Sequence, residues 1–323
     1  MEFRKIIEIP VAEHLYRHAD GITLWGSCFA SELAEYLEQD LYSVCRSPYG
    51  VMYNPLSIAR GLTEVLEGVP PSGESLFCHD GLWHSYMHHG AFSSEEQSEA
   101  LVRMREAFES GREELLGSRL LVITLGTAYV YTTKAGEIVN NCHKLPASLF
   151  ERRRVSVDEV VSALGQALSQ WQALCPDLRV ILTVSPIPHY ADGAHESRLS
   201  KSVLLLAVDE LTRLPQVDYF PSYEIMHDEL RDYRFYREDY AHPSQQAVDY
   251  IMQRFATTYL APEPDPEWDK LRRLLRHKPL TDSPIKRQEH YQRLLERLEC
   301  FAQKRPHPLV LSELKRLKRL TNE

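Results

Sequence analysis

Two stretches of the chain are apolar almost without interruption. Arg119-Leu120-Leu121-Val122-Ile123-Thr124-Leu125-Gly126 and Leu178-Arg179-Val180-Ile181-Leu182-Thr183-Val184 lack the in–out alternation of a half-exposed sheet. Strands of this kind need apolar cover on both faces, the environment of a central strand in a parallel sheet. Shorter runs at Gly21–Trp25, Leu41–Cys45 and Val217–Phe220 read as further strands. Helical spacing separates them. Leu33 and Leu37 stand four apart, and Asn54-Pro55 opens a helix through Leu56, Ile58, Ala59, Leu62 and Val65. Further helices read over 94–116, 157–174, 202–214 and 245–260. Strands alternating with helices predict a parallel α/β sheet with right-handed crossovers, a flavodoxin-like three-layer fold.

Around this frame, residues 1–20 read as an extended lead-in and 76–92 as an irregular loop rich in aromatics and histidines. Tyr129–Thr133 and Glu137–Asn140 read as a hairpin about Lys134-Ala135-Gly136. Three prolines at alternate positions in Ala261–Pro266 make a stiff linker, dividing a body at 1–260 from a tail at 261–323. The tail is expected to be helical, with apolar stripes at Leu271/Leu274/Leu275 and Leu294/Leu295/Leu298.

Charge narrows the function. From Asp265 to Glu323 there are 15 Lys and Arg against 9 Asp and Glu, a net of +6 in a chain of net −9, so residues 1–264 carry −15. An acidic body is poorly suited to grip a phosphate backbone. No stretch approaches the roughly 20 apolar residues of a membrane span, and the first residues carry no secretory pattern. Six scattered cysteines without a C-x-x-C pair fit reduced thiols in a cytoplasm. The tail's stripes suit docking on the body or on a second copy, as in a homodimer.

Ser27, in Leu24-Trp25-Gly26-Ser27-Cys28-Phe29-Ala30, falls between a strand and a helix. A hydroxyl on such a turn stands clear of the sheet beside a helix N-terminus that favours negative charge; an ordinary N-cap serine is the bland alternative. Far downstream, Asp239-Tyr240-Ala241-His242-Pro243 brings a carboxylate and an imidazole together locally. A serine needs a base and the base needs orienting, so Ser27, His242 and Asp239 are the candidate nucleophile, base and orienting acid. Gly50, Gly126-Thr127-Ala128 and Ser185–His189 also follow predicted strands, at the end where open parallel sheets bind ligands.

Two neighbouring features admit more than one reading. Cys28 is an alternative nucleophile or a buried structural thiol. The histidines at 79–89, with Cys78, Cys142 and His143, form either a lid containing Trp83, His88 and His89 or, with His84-x-x-x-His88 on one face, a metal site serving a metal-dependent hydrolase. The lid is the preferred reading, with Thr127, Ala128, His143 and His189 completing the pocket wall.

The sequence resembles the GSCFA family, within the SGNH/GDSL hydrolase superfamily. The resemblance rests on Gly26–Ala30, Tyr53–Ser57, Thr124–Ala128, Asn141–Lys144, Thr183–Pro186, Tyr219–Glu224 and Asp239-x-x-His242-Pro243-Ser244. It implies a serine esterase or acyltransferase that needs no cofactor, acting on a small-molecule or glycan ester. It matches Ser27, Asp239 and His242 to the superfamily's catalytic groups and Gly50 to its oxyanion glycine, with the Ser27 N–H as a second donor. The superfamily's third-block asparagine would stand at 128, where this chain has Ala128. Asn54, Asn140, Asn141 and His143 are candidate replacements, Asn54 also being a natural N-cap. The missing donor favours an alternative from another class, a catalytically silent module that binds a glycan or acyl ligand.

Overall fold

The two apolar runs lie side by side at the centre of one sheet. A computed structural model of the chain describes residues 4–262, 283–304 and 308–322. Five parallel strands, β1 (Gly21–Gly26), β2 (Val44–Arg46), β5 (Ser118–Leu125), β9 (Arg179–Val184) and β10 (Val217–Tyr219), are ordered β2-β1-β5-β9-β10. This is the flavodoxin-like order, and its direction reverses between β1 and β5.

The unalternating run of β5 divides by the two-residue period of a strand. Leu121, Ile123 and Leu125 enter a core with α2 (Pro55–Glu67), α4 (Val157–Leu174) and α5 (Ala194–Leu211); Leu120 and Val122 enter the opposite core with α1 (Cys28–Gln39) and α7 (Gln245–Tyr259). All five side chains are fully buried, each worth roughly 1.5–3 kcal/mol against exposure. This two-sided cover is why the sequence shows no polar alternation.

Several local expectations change. Residues 76–92 are not irregular throughout: β3 (Leu76–His79) and β4 (Leu82–Ser85) form an antiparallel hairpin. Its turn residues Asp80 and Gly81 both have positive φ, the type I′ arrangement that an Asp-Gly pair favours. Close to this hairpin, β6 (Tyr129–Thr133) pairs with β7 (Ile138–Val139) and with β8 (Phe150–Arg154), a strand the sequence hides under three consecutive arginines. The Arg152 guanidinium lies 3.8 Å from the Tyr129 ring centroid, so the polar strand is held partly by cation–π contact. Helix α3 covers Gln97–Gly117, and α5 begins at Ala194, eight residues before the apolar pattern at 202–214 declares it.

Pro264, Pro266 and the Leu271/Leu274/Leu275 stripe lie outside the described residues. In the tail, α8 (Pro284–Lys304) and α9 (Pro308–Asn322) pack through Leu294, Leu295, Leu298, Val310 and Leu317, with Leu41 of the body completing the cluster. Among the described residues, no helix is long and apolar enough to cross a membrane.

Candidate active site

Ser27 stands where the sheet order reverses. Its N–H donates to Thr124 O across β1 and β5 at 3.1 Å, and it occupies the N-cap position of α1. Its hydroxyl does not cap the helix. Ser27 Oγ is buried and has no hydrogen-bond partner among the described residues; Thr124 Oγ1 is in the same condition one strand over. A polar atom left this way costs about 1–3 kcal/mol, so it asks for an explanation other than capping. Gly26 makes the approach possible: its φ is +123°, and a Cβ there would sit on the backbone of Thr124.

Main-chain bonds then draw the neighbouring strand ends together. Met52 N–H donates to Gly26 O, while the Tyr53 carbonyl accepts from both Gly126 and Thr127 N–H groups, at 2.8 and 3.0 Å. The Tyr53 hydroxyl lies 3.2 Å from Cys28 Sγ, and its ring meets His189 edge-on at 6.0 Å between centroids. Burial, then the Cys28 contact, raises the Tyr53 pKa and keeps its hydroxyl protonated. Burial depresses His189 to about 4, aided chiefly by Lys201 and partly opposed by Asp192; His242 bears on it as well. Thr127 is half-buried, its Oγ1 sharing a hydrogen with Ser200 Oγ at 3.1 Å.

The Asp239–His242 pair is built locally. Asp239 Oδ1 accepts the N–H groups of Ala241 and His242 at 3.0 and 2.9 Å, and Oδ2 lies 2.6 Å from His242 Nδ1. Those backbone donors, then the imidazole, hold the Asp239 carboxyl well below the usual carboxylate range. An ionised carboxylate only accepts, so Nδ1 carries a proton, and in the neutral ring Nε2 is the nitrogen that holds the lone pair. Arg237 straps this loop down, donating to Pro243 O at 3.0 Å and reaching Glu32 of α1 at 3.3 Å. The loop is thus tethered five residues beyond Ser27, although Ser27 and His242 share no hydrogen bond.

The Ser27, Gly50, Asn54 and Asn140 donors expected from the sequence are engaged elsewhere. The Ser27 N–H is spent on Thr124 O, as described above, and Gly50 N–H closes a turn onto Ser47 O at 3.0 Å. Asn54 is the N-cap of α2: its Oδ1 accepts from Ser57 N–H at 2.8 Å and its Nδ2 donates to Ser57 Oγ at 2.9 Å. Asn140 donates to the carbonyls of Val51 and Met87, and Asn141 Oδ1 accepts from His143 N–H. What remains open by helix geometry is the first turn of α1, whose Cys28 and Phe29 N–H groups have no partner within the helix.

Residues expected to wall the pocket separate into two groups. Ala128 is completely buried in the core, its N–H donating to Ser200 Oγ at 2.7 Å, and His88 is 2% exposed. Neither presents surface to a ligand in this conformation. Burial, with His143 nearby, depresses His88 to about 3. Trp83 packs beside Met104 of α3, His143 leans on the His84 ring and meets Ser85 O at 2.8 Å, and His89 is exposed with its Cβ against Gly50. Both ring nitrogens of His84 are engaged, by Ser93 Oγ and His79 O. Among the described residues no group of three or more His, Cys, Asp or Glu side chains is placed to hold a metal ion. The histidine loop therefore lacks the ligand set that the metal reading needs.

One residue at this rim was not anticipated. Lys201, on the buried face of α5, is 2% exposed, and its Nζ donates to Gly126 O at 2.6 Å and Ser185 O at 2.7 Å, joining the ends of β5 and β9. Its signal was positional. With Ser197, Leu204, Val208 and Leu211 it falls on one helical stripe, so a lysine occupies a core position.

The model of the GSCFA family matches residues 21–255, a span that holds all five parallel strands and the Asp239–His242 loop. No curated protein matches the chain.

Proposed function

We propose that this chain, which belongs to the GSCFA family, is a serine hydrolase or acyltransferase of the SGNH type. Ser27 Oγ attacks an acyl ester while His242 Nε2 removes its proton, and Asp239 stabilises the resulting imidazolium. The tetrahedral oxyanion is held by the first-turn N–H groups at Cys28 and Phe29 and by the positive end of α1. Collapse expels the alcohol, which takes the proton from His242. Water or a second alcohol then attacks the acyl-enzyme with His242 again acting as base.

What supports this reading is a buried hydroxyl with no partner among the described residues, together with an imidazole–carboxylate pair already oriented on a loop tied to α1. Hydrogen bonds between catalytic groups are often long in unliganded enzymes and tighten when substrate binds. Because Ser27 Oγ is covered, a substrate reaches it only after part of the rim moves. The chemistry fits a small-molecule or glycan ester and calls for no cofactor.

The engaged Gly50 N–H and buried Ala128 favour a second reading, a binding module that retains the cleft without turnover. A fluorophosphonate probe separates the two. The enzyme is labelled, and labelling disappears in Ser27→Ala but persists in Cys28→Ala. Folded protein that takes no label and hydrolyses p-nitrophenyl acetate no faster than His242→Ala is the binding module.

A further inference from the structure

Beneath the His189 loop lies a small cavity with room for about one water-sized sphere. Lys201, Arg198, His227, Tyr223 and Ser197 line it, and no Asp or Glu is among its lining residues. Lys201 is a completely enclosed amine with two carbonyl acceptors and, among the described residues, no carboxylate within ion-pair distance. Burying a charge without a counter-charge is expensive. Burial alone accordingly lowers the Lys201 pKa to about 7. When Lys201 is protonated, the two carbonyls use two of its three hydrogens and leave the third without an acceptor among the described residues.

The other lining groups are donors as well. Ser197 Oγ accepts the His189 N–H at 3.1 Å and keeps its own hydrogen, while the Tyr223 hydroxyl accepts from Arg198 at 3.3 Å and keeps its own. Arg198 is exposed and supplies further N–H groups. Acidic side chains around the cavity are committed elsewhere, Asp228 to Arg231 at 2.6 Å, Asp192 to Arg152, and Glu224 to the Tyr219 hydroxyl at 2.7 Å. His227 stays neutral, its Nε2 meeting Pro186 O at 3.1 Å and burial depressing its pKa.

We propose that this cavity is a binding site for a small monovalent anion, a halide or the head of a short carboxylate, which supplies the counter-charge that Lys201 lacks. A carboxylate source connects the site to acyl chemistry; a halide source makes it a structural ion site. The site stands or falls independently of the hydrolase reading, because none of its readouts uses turnover.

The test measures melting temperature of the full chain in sodium bromide, sodium acetate and sodium gluconate at equal ionic strength, together with anomalous diffraction from bromide-soaked crystals. Expected is a saturable rise in melting temperature with bromide or acetate over gluconate, as mass action requires of a ligand bound only to the native state. The rise is lost in Lys201→Met and weakened in Arg198→Gln, an exposed change that spares the fold if Lys201→Met does not. Bromide density within hydrogen-bond reach of Lys201 Nζ identifies the halide source; a response to acetate alone identifies the carboxylate source. Equal melting in all three salts with no bromide peak in the cavity overturns the proposal, as does a rise that both variants retain in full.

Discussion

Asp239 Oδ2 lies 2.6 Å from Nδ1 of His242, while the other oxygen of the same carboxylate is pinned by two backbone N–H groups. The carboxylate cannot turn away, so the imidazole has a single preferred tautomer. Asp239→Asn offers an amide that can donate to Nδ1, which reverses that tautomer. Turnover of p-nitrophenyl acetate is expected to fall on the order of 1000- to 10,000-fold, with KM little changed. Steady-state kinetics checks this, and a loss confined to KM contradicts the assigned role.

Ser27→Ala separates two accounts of one hydroxyl. A capping serine contributes about 1 kcal/mol to its helix, which alanine forfeits. An unpartnered buried hydroxyl contributes nothing and carries a desolvation penalty of about 1–3 kcal/mol. Since Ser27 Oγ has no partner among the described residues, urea unfolding of Ser27→Ala is expected to give equal or higher stability alongside the loss of labelling.

Asn54→Ala tests the opposite assignment. Losing the bonds to Ser57 N–H and Oγ is expected to cost about 1 kcal/mol, the usual worth of an N-cap. Turnover per folded molecule is unchanged if Asn54 only caps α2. A drop of roughly 100-fold or more in kcat would instead mark it as an oxyanion donor.

Buried histidines set the acid side of stability. His88 is depressed from 6.5 to about 3, so between those values the unfolded chain binds a proton that the native one does not. Its contribution is complete above pH 6.5 and is lost as pH falls toward 3, amounting to about 2 kcal/mol already lost at pH 5. His189, depressed to about 4, acts in the same direction. Urea midpoints at pH 7.5 and 5 are expected to differ less in His189→Gln than in the parent chain.

Gly26→Ala is expected to destabilise by about 3 kcal/mol or more, since a φ of +123° and contact with the Thr124 backbone combine conformational strain with overlap. Expression and melting temperature report the outcome.

Strand periodicity made the centre of this fold legible. The runs at 119–126 and 178–184 demand two-sided cover, and the helices between them supply it. The β3–β4 hairpin was written in Asp80-Gly81 but masked by the aromatics around it. β8 shows only Phe150 as an apolar residue, because its arginines are satisfied by Tyr129, Asp192, Glu196 and Glu159 on other elements. At the rim, the local Asp-x-x-His spacing sufficed to bring carboxylate and ring together. The fate of the Gly50 N–H depended on a turn to Ser47, and that of Ala128 on a serine 72 positions away, which spacing along the chain does not disclose. Lys201 was readable only after the true start of α5 revealed its stripe.

The rim's shape is held largely by amides: Ser27 to Thr124, Met52 to Gly26, Gly126 and Thr127 to Tyr53, Ser185 to Leu125. Such a frame is indifferent to most side chains. Mutational drift can therefore recolour the cleft and change what enters it while the hydroxyl stays where it is, and the residues least free to vary will be the glycines that let the backbones touch.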